Sequence, residues 1–101
     1  MKEFEKLYAS AYQSGKLLTI LFSVSWCGAC KTIGPSYNEM VAEYPNVMFS
    51  QVDGDKCSDL VEKYKVQAYP TFVFIKQGKL VDSLRGATKD SLRAMIERNM
   101  F

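Results

Sequence analysis

Residues 25–31 read Ser25-Trp26-Cys27-Gly28-Ala29-Cys30-Lys31 and hold two of the chain's three cysteines. Two thiols with two residues between them suit a redox pair, half of a metal site, or two unrelated buried residues. The flanking sequence helps to separate these readings. Upstream, Leu17 to Val24 is an almost continuous apolar run, as expected of a strand covered on both faces. Downstream, Ile33, Tyr37, Met40, Val41 and Tyr44 recur at helical spacing, with Pro35 inside the pattern and a kink expected there. Cys27 therefore lies where a buried strand hands over to a helix. In open α/β sheets the crevice beyond the strand ends is where sites form. A helix N-terminus offers unpaired N–H groups and partial positive charge, both of which favour a thiolate over a thiol. Cys30 lies one turn on, within reach of a mixed disulfide formed at Cys27, and Gly28 has no side chain to obstruct an incoming disulfide.

Composition narrows the alternatives. The chain has 101 residues, enough for a single domain over 1–101, and its 48% apolar content supplies a hydrophobic core. Thirteen basic and 11 acidic residues give a net charge of +2, and they are interspersed. No dense basic face of the kind that binds nucleic acid is expected. Histidine is absent, which removes Ser-His-Asp and Cys-His catalysis and every His-containing metal site. Cys57 is the only other cysteine, so a Cys₄ zinc site cannot form within one chain. No apolar run is long enough for a signal peptide or a membrane span, and a cytoplasmic chain is the expectation.

The remaining elements follow from pattern. Phe4, Leu7, Tyr8, Ala11 and Tyr12 mark a first helix ending near Ser14-Gly15. After the break at Pro45-Asn46, Val47 to Val52 reads as a strand, Asp53-Gly54-Asp55 as a turn, and Asp55 or Ser58 as the cap of a short helix through Tyr64. Thr71 to Ile75 reads as a third buried strand, joined by a two-residue hairpin at Gln77-Gly78 to a strand over Leu80 to Leu84. A last helix starts near Thr88 and carries Leu92, Met95, Ile96 and Met100. The order α-β-α-β-α-β-β-α implies an α/β fold. Its small mixed sheet has a right-handed parallel crossover and helices on both faces.

At this point a family resemblance becomes specific. Ser25-Trp26-Cys27-Gly28-Ala29-Cys30-Lys31 resembles the active-site motif of the thioredoxin family. Pro35 stands at the family's helix proline, and Tyr69-Pro70-Thr71 matches its cis-proline loop. Val52-Asp53-Gly54-Asp55 resembles a family turn, Gly78 matches the hairpin glycine, and Arg85-Gly86-Ala87 matches the glycine loop. The resemblance covers nearly the whole chain and implies the thioredoxin fold with a central sheet of four or five strands. By position it makes Cys27 the attacking thiolate and Cys30 the buried resolving thiol. Trp26 would shield the pair, and Lys31 belongs to the motif. Pro70, in cis, would place its neighbour's backbone against substrate and hold metal ions off the thiols. Trp26, Ala29, Tyr69, Thr71 and Gly86 form the implied substrate surface. No bound cofactor and no metal are implied. The implied partners are disulfide-containing proteins and an NADPH-dependent flavoprotein thioredoxin reductase, met by a monomer.

Three departures stand out. Ala29 replaces the proline usual between the cysteines, which is expected to make the pair somewhat more oxidising. Leu21, six residues before Cys27, replaces the family's buried aspartate, and Phe49 replaces its lysine neighbour. The pocket under Cys30 is then expected to be wholly apolar, which raises a thiol pKa and slows the resolving step. The family's first edge strand is missing, because Met1-Lys2-Glu3 leaves no room for it. Cys57, near a helix start, is an idle thiol or a regulatory one that links two copies on oxidation. The expected activity is reduction of protein disulfides through a Cys27/Cys30 cycle. The competing readings are a disulfide oxidase or isomerase of the same fold and a binding subunit with incidental thiols. Glutaredoxin-like use of glutathione fits less well, since that motif differs.

Overall fold

The computed structural model describes residues 2–101, and Met1 of the short stretch before the first helix lies outside the described residues. Helix α1 spans Lys2–Ser14 and strand β1 Leu17–Ser23. Helix α2 spans Gly28–Glu43, strand β2 Met48–Asp53 and the short helix α3 Ser58–Lys63. Strands β3, Thr71–Lys76, and β4, Lys79–Arg85, precede helix α4, Lys89–Asn99. The sheet has four strands in the order β2-β1-β3-β4, with β1 and β2 parallel and the other pairings antiparallel. The fold is the expected α/β architecture with the smaller strand count. Among the described residues, β2 and β4 are the edge strands.

Alternation along β1 divides the core between the two faces of the sheet. Leu18, Ile20 and Phe22 point one way and pack with Val73, Ile75 and Leu60 of α3, while Phe4, Leu7 and Tyr8 of α1 close over them. Leu17 and Leu21 point the other way and pack with Phe72, Phe74, Ile33, Met40, Leu92 and Ile96, which places α2 and α4 on that face. Pro35 lies inside α2, which runs unbroken from Gly28 to Glu43. Two stripe residues stay outside the core. Val41 is 46% exposed, because α2 buries only a narrow stripe through Ile33, Tyr37 and Met40. Tyr12 is 57% exposed and lies over Gly78 at the hairpin.

Turn chemistry fixes the connections. The hairpin between β3 and β4 has positive φ at both central residues, 50° at Gln77 and 79° at Gly78, which matches the right-handed twist of its strands. Thr88 caps α4 in a reciprocal capping box with Ser91. The α3 cap differs from expectation: Cys57 occupies the N-cap position and makes no side-chain cap bond. Asp55 instead sits in a turn whose N–H donates to Asp53 Oδ1 at 2.9 Å, so neither Asp55 nor Ser58 serves α3 as its cap.

One polar cluster crosses the core beneath α2. The buried Tyr37 hydroxyl donates to the Ser50 carbonyl at 2.7 Å and lies 3.1 Å from the Thr19 carbonyl, tying α2 to both parallel strands. Burial pushes this phenol far above its ordinary pKa, so it remains a donor. Thr19 itself is fully buried, and its Oγ1 has no hydrogen-bond partner among the described residues. An unsatisfied buried hydroxyl is destabilising by about 1–3 kcal/mol. Thr19→Val keeps the shape and removes the hydroxyl. It is expected to raise the urea midpoint at unchanged slope, a gain of roughly 1 kcal/mol. A lowered midpoint would show that the hydroxyl is satisfied.

Candidate active site

β1 ends at Ser23 and α2 begins at Gly28, so the pair of thiols sits on the strand-to-helix junction. Cys27 is the N-cap residue of α2, with extended backbone (φ −102°, ψ 115°). Its Sγ accepts the Cys30 N–H at 3.2 Å, the role that serine or aspartate oxygen usually plays at a helix start. The partly buried Cys27 thiol also lies 3.5 Å from the Tyr69 carbonyl, to which it donates when protonated. Cys30 is only 7% exposed, and all three cysteines are free thiols here.

The two thiols are driven apart electrostatically. Cys27 is held below the ordinary cysteine value, first by the hydrogen bond from the Cys30 side chain, and then by the backbone amides of Cys30 and Ala29, with desolvation opposing. Cys30 is pushed up, first by burial and then by the Cys27 sulfur, while a backbone hydrogen bond from Val24 pulls the other way. The thiolate is thus favoured at Cys27 and the thiol at Cys30. This is a division of labour suited to thiol–disulfide exchange.

The surrounding loop completes the site. The Tyr69–Pro70 peptide bond is cis, and Pro70 is buried. Gly86 donates its N–H to the Pro70 carbonyl at 2.8 Å and adopts φ +57°, a conformation that favours glycine. Gly28, Ala29 and Lys31 are exposed, and a side chain at Gly28 would meet no neighbour. Trp26 is 69% exposed and is no core residue. Its Nε1 donates to Asp55 Oδ2 at 3.0 Å, and Tyr69 stands edge-on to it with ring centroids 6.0 Å apart.

Other expected site residues are placed differently. Thr71 is 6% exposed and donates its hydroxyl to the Ala68 carbonyl at 2.6 Å, so its side chain is turned into the loop. Leu21 and Phe49 join the apolar cluster as expected, but Leu21 pairs in register with Gln51 and Phe49 with Thr19. Cys30 borders a groove of about 610 Å³ that is also lined by Ser23, Asn38, Gln51 and Asp53. The expectation of a wholly apolar pocket is thereby corrected: the C-terminal end of β1 and the edge strand β2 bring polar residues to the groove that Cys30 borders. Cys57 stands apart from the pair, half-buried at the head of α3. Asp55 as the partner of Trp26 and Gly54 beneath the Tyr69 ring were missed, because nothing local in Asp53-Gly54-Asp55 points 29 residues back to Trp26.

Comparison with known proteins agrees with this geometry. The family model described as thioredoxin matches residues 2–98. The chain belongs to the thioredoxin family. It is 42% identical over 92 residues to the H-type thioredoxin of Fagopyrum esculentum, covering 91% of this chain and 79% of that protein. Identity to the thioredoxin of Geodia cydonium is 47% over 85 residues, 83% of this chain and 80% of the other. The crystal structure of thioredoxin NaTrxh from Nicotiana alata superposes with a TM-score of 0.93 at 38% identity, over 99% of this chain and 87% of that one. As a thioredoxin, the chain is a thiol–disulfide oxidoreductase that reduces protein disulfides. Among the described residues no cluster of metal-ligating side chains is present, and no helix is long and apolar enough to cross a membrane.

The thiol asymmetry has a measurable consequence. Iodoacetamide should label Cys27 first. The rate should fall only when pH drops through a midpoint below the ordinary cysteine value of about 8.5. In Cys27→Ser, labelling of Cys30 should need pH above that value. Equal midpoints for the two thiols, read by peptide mass spectrometry, would contradict the assignment.

Proposed function

We propose that Cys27 is the attacking thiolate and Cys30 the resolving thiol of the disulfide-reducing cycle. The observation that carries this reading is the N-cap position of Cys27 Sγ, with Cys30 buried one turn on. Cys27 sulfur attacks one sulfur of a partner's disulfide. A Cys27–partner bond forms, the partner's S–S bond breaks, and the departing sulfur takes up a proton. Cys30 then loses its proton and attacks Cys27 sulfur. The Cys27–Cys30 disulfide forms and the second partner thiolate leaves to be protonated. Two electrons and two protons have passed to the partner. With no carboxylate at Leu21, the Cys30 proton leaves toward the polar groove of Ser23, Gln51 and Asp53.

The partner lies on the exposed surface of Trp26, Gly28 and Ala29, beside the loop of Tyr69, Pro70 and Gly86. Lys31 rims this surface. The domain, residues 1–101, works as a monomer in the cytoplasm and carries no bound cofactor. Electrons return to the disulfide from an NADPH-dependent flavoprotein thioredoxin reductase. The family's reductive activity supports this donor over use of the chain as an oxidase or isomerase. Cys57 takes no part in the cycle.

Trapping tests the roles. Reduced Cys30→Ser mixed with insulin should accumulate a covalent complex that dithiothreitol releases, because the second displacement is blocked. Cys27→Ser should form none. A stable complex through Cys30 in the Cys27→Ser chain would reverse the assignment.

A further inference from the structure

Tyr69 meets the site twice. Its carbonyl lies 3.5 Å from the Cys27 sulfur, and its ring stands at 82° to the Trp26 indole. That ring lies directly over Gly54. A Cβ at position 54 would lie 2.5 Å from the ring's Cε1 and 2.6 Å from Cζ, far inside van der Waals contact. The backbone does not call for glycine here. Positive φ is found at Gly15, Gly78 and Gly86, and Gly54 is not among them. Nor can the backbone at this position retreat easily, because Gly54 N–H is bonded to the Ser23 carbonyl at the end of β1, 2.9 Å away. If a methyl group were added, the Tyr69 ring would have to move. The next residue, Asp55, accepts the Trp26 Nε1–H at 3.0 Å. One three-residue turn thus seats both aromatic rings: Trp26 by a hydrogen bond and Tyr69 by leaving space.

We infer that Gly54 is a positioning residue for substrate recognition. By seating the Tyr69 ring it fixes an aromatic wall with Trp26 beside Cys27, and that wall selects protein disulfides flanked by an apolar or aromatic residue. The inference rests on Cys27 being the attacking thiol. Trp26 is the most exposed large aromatic side chain apart from Phe101, so its ring face is available to a partner. Edge-to-face aromatic packing is worth roughly 0.5–1.5 kcal/mol beyond buried area, enough to discriminate between flanking residues by several-fold.

The test uses the reduced chain and two disulfide peptides that differ only in having Phe or Ser beside the cysteine. The readout is the ratio of their second-order reduction rates. The parent chain should favour the Phe peptide about fivefold, the equivalent of roughly 1 kcal/mol. Gly54→Ala should bring the ratio close to one and shift Trp26 fluorescence. Tyr69→Phe keeps the ring and should keep the ratio. Tyr69→Ala should lose it, and adding Gly54→Ala to that variant should change nothing further, since the methyl group then has room. The double variant also answers the case in which Gly54→Ala alone folds poorly. An unchanged ratio in Gly54→Ala, or a fall in the two reduction rates when Gly54→Ala is added to Tyr69→Ala, would overturn the inference. If Cys27→Ser reduces both peptides at the parent rate, the assignment of Cys27 fails instead, and the wall loses its reference point.

Discussion

The hydrogen bond from Cys30 N–H to Cys27 Sγ is the contact around which the site is organised. It makes a sulfur the cap of α2, so the first free amides of the helix converge on that atom and favour its thiolate. It also ties the two thiols together, because the amide that stabilises Cys27 belongs to the residue that carries the second thiol. The chemistry requires the two sulfurs to differ. The same helix start supplies the difference by leaving Cys27 open to amides and placing Cys30 against the core.

Everything else holds that junction in place. The buried face of β1 fixes where the strand ends, and Ile33, Tyr37 and Met40 press α2 onto the sheet. The Tyr37 hydroxyl joins the helix to the backbones of both parallel strands, so the helix cannot slide along the sheet without losing a buried hydrogen bond. On the partner side, the loop through Pro70 and Gly86 brings the Tyr69 carbonyl to the Cys27 thiol. The turn after β2 braces Trp26 and Tyr69 from beneath. Leu21 offers Cys30 no buried base, and Cys30 borders a groove that is also lined by Ser23, Gln51 and Asp53.

Much of this was legible in the sequence because its signals are local. A buried apolar run followed by two spaced thiols and a helical stripe places the site. Gln77-Gly78 specifies a tight hairpin, and Thr88 marks a helix start. What was not legible depends on tertiary contact. Periodicity cannot say how wide a buried stripe is: Val41 and Tyr12 share the helical spacing of their stripes, yet both are exposed. Asp55 was expected to cap a helix, whereas its carboxylate is engaged by Trp26 from another loop. Thr71 looked like a surface residue beside Pro70, yet its hydroxyl turns inward to Ala68. The groove beside Cys30 arises from residues on β1, α2 and β2, which no single stretch reveals.

The junction of β1 and α2 makes the thiol pair a reductant. The most direct test is the reduction potential of the Cys27–Cys30 pair, equilibrated against glutathione buffers and followed by Trp26 fluorescence. With Ala29 in place of a stiffening proline, the potential should lie between about −270 and about −230 mV, on the reducing side of the thiol–disulfide scale. A value at or above about −180 mV, where protein disulfide isomerase lies, would contradict the account. It would mean that stabilising the thiolate at the head of α2 favours the dithiol enough to make the pair an oxidant.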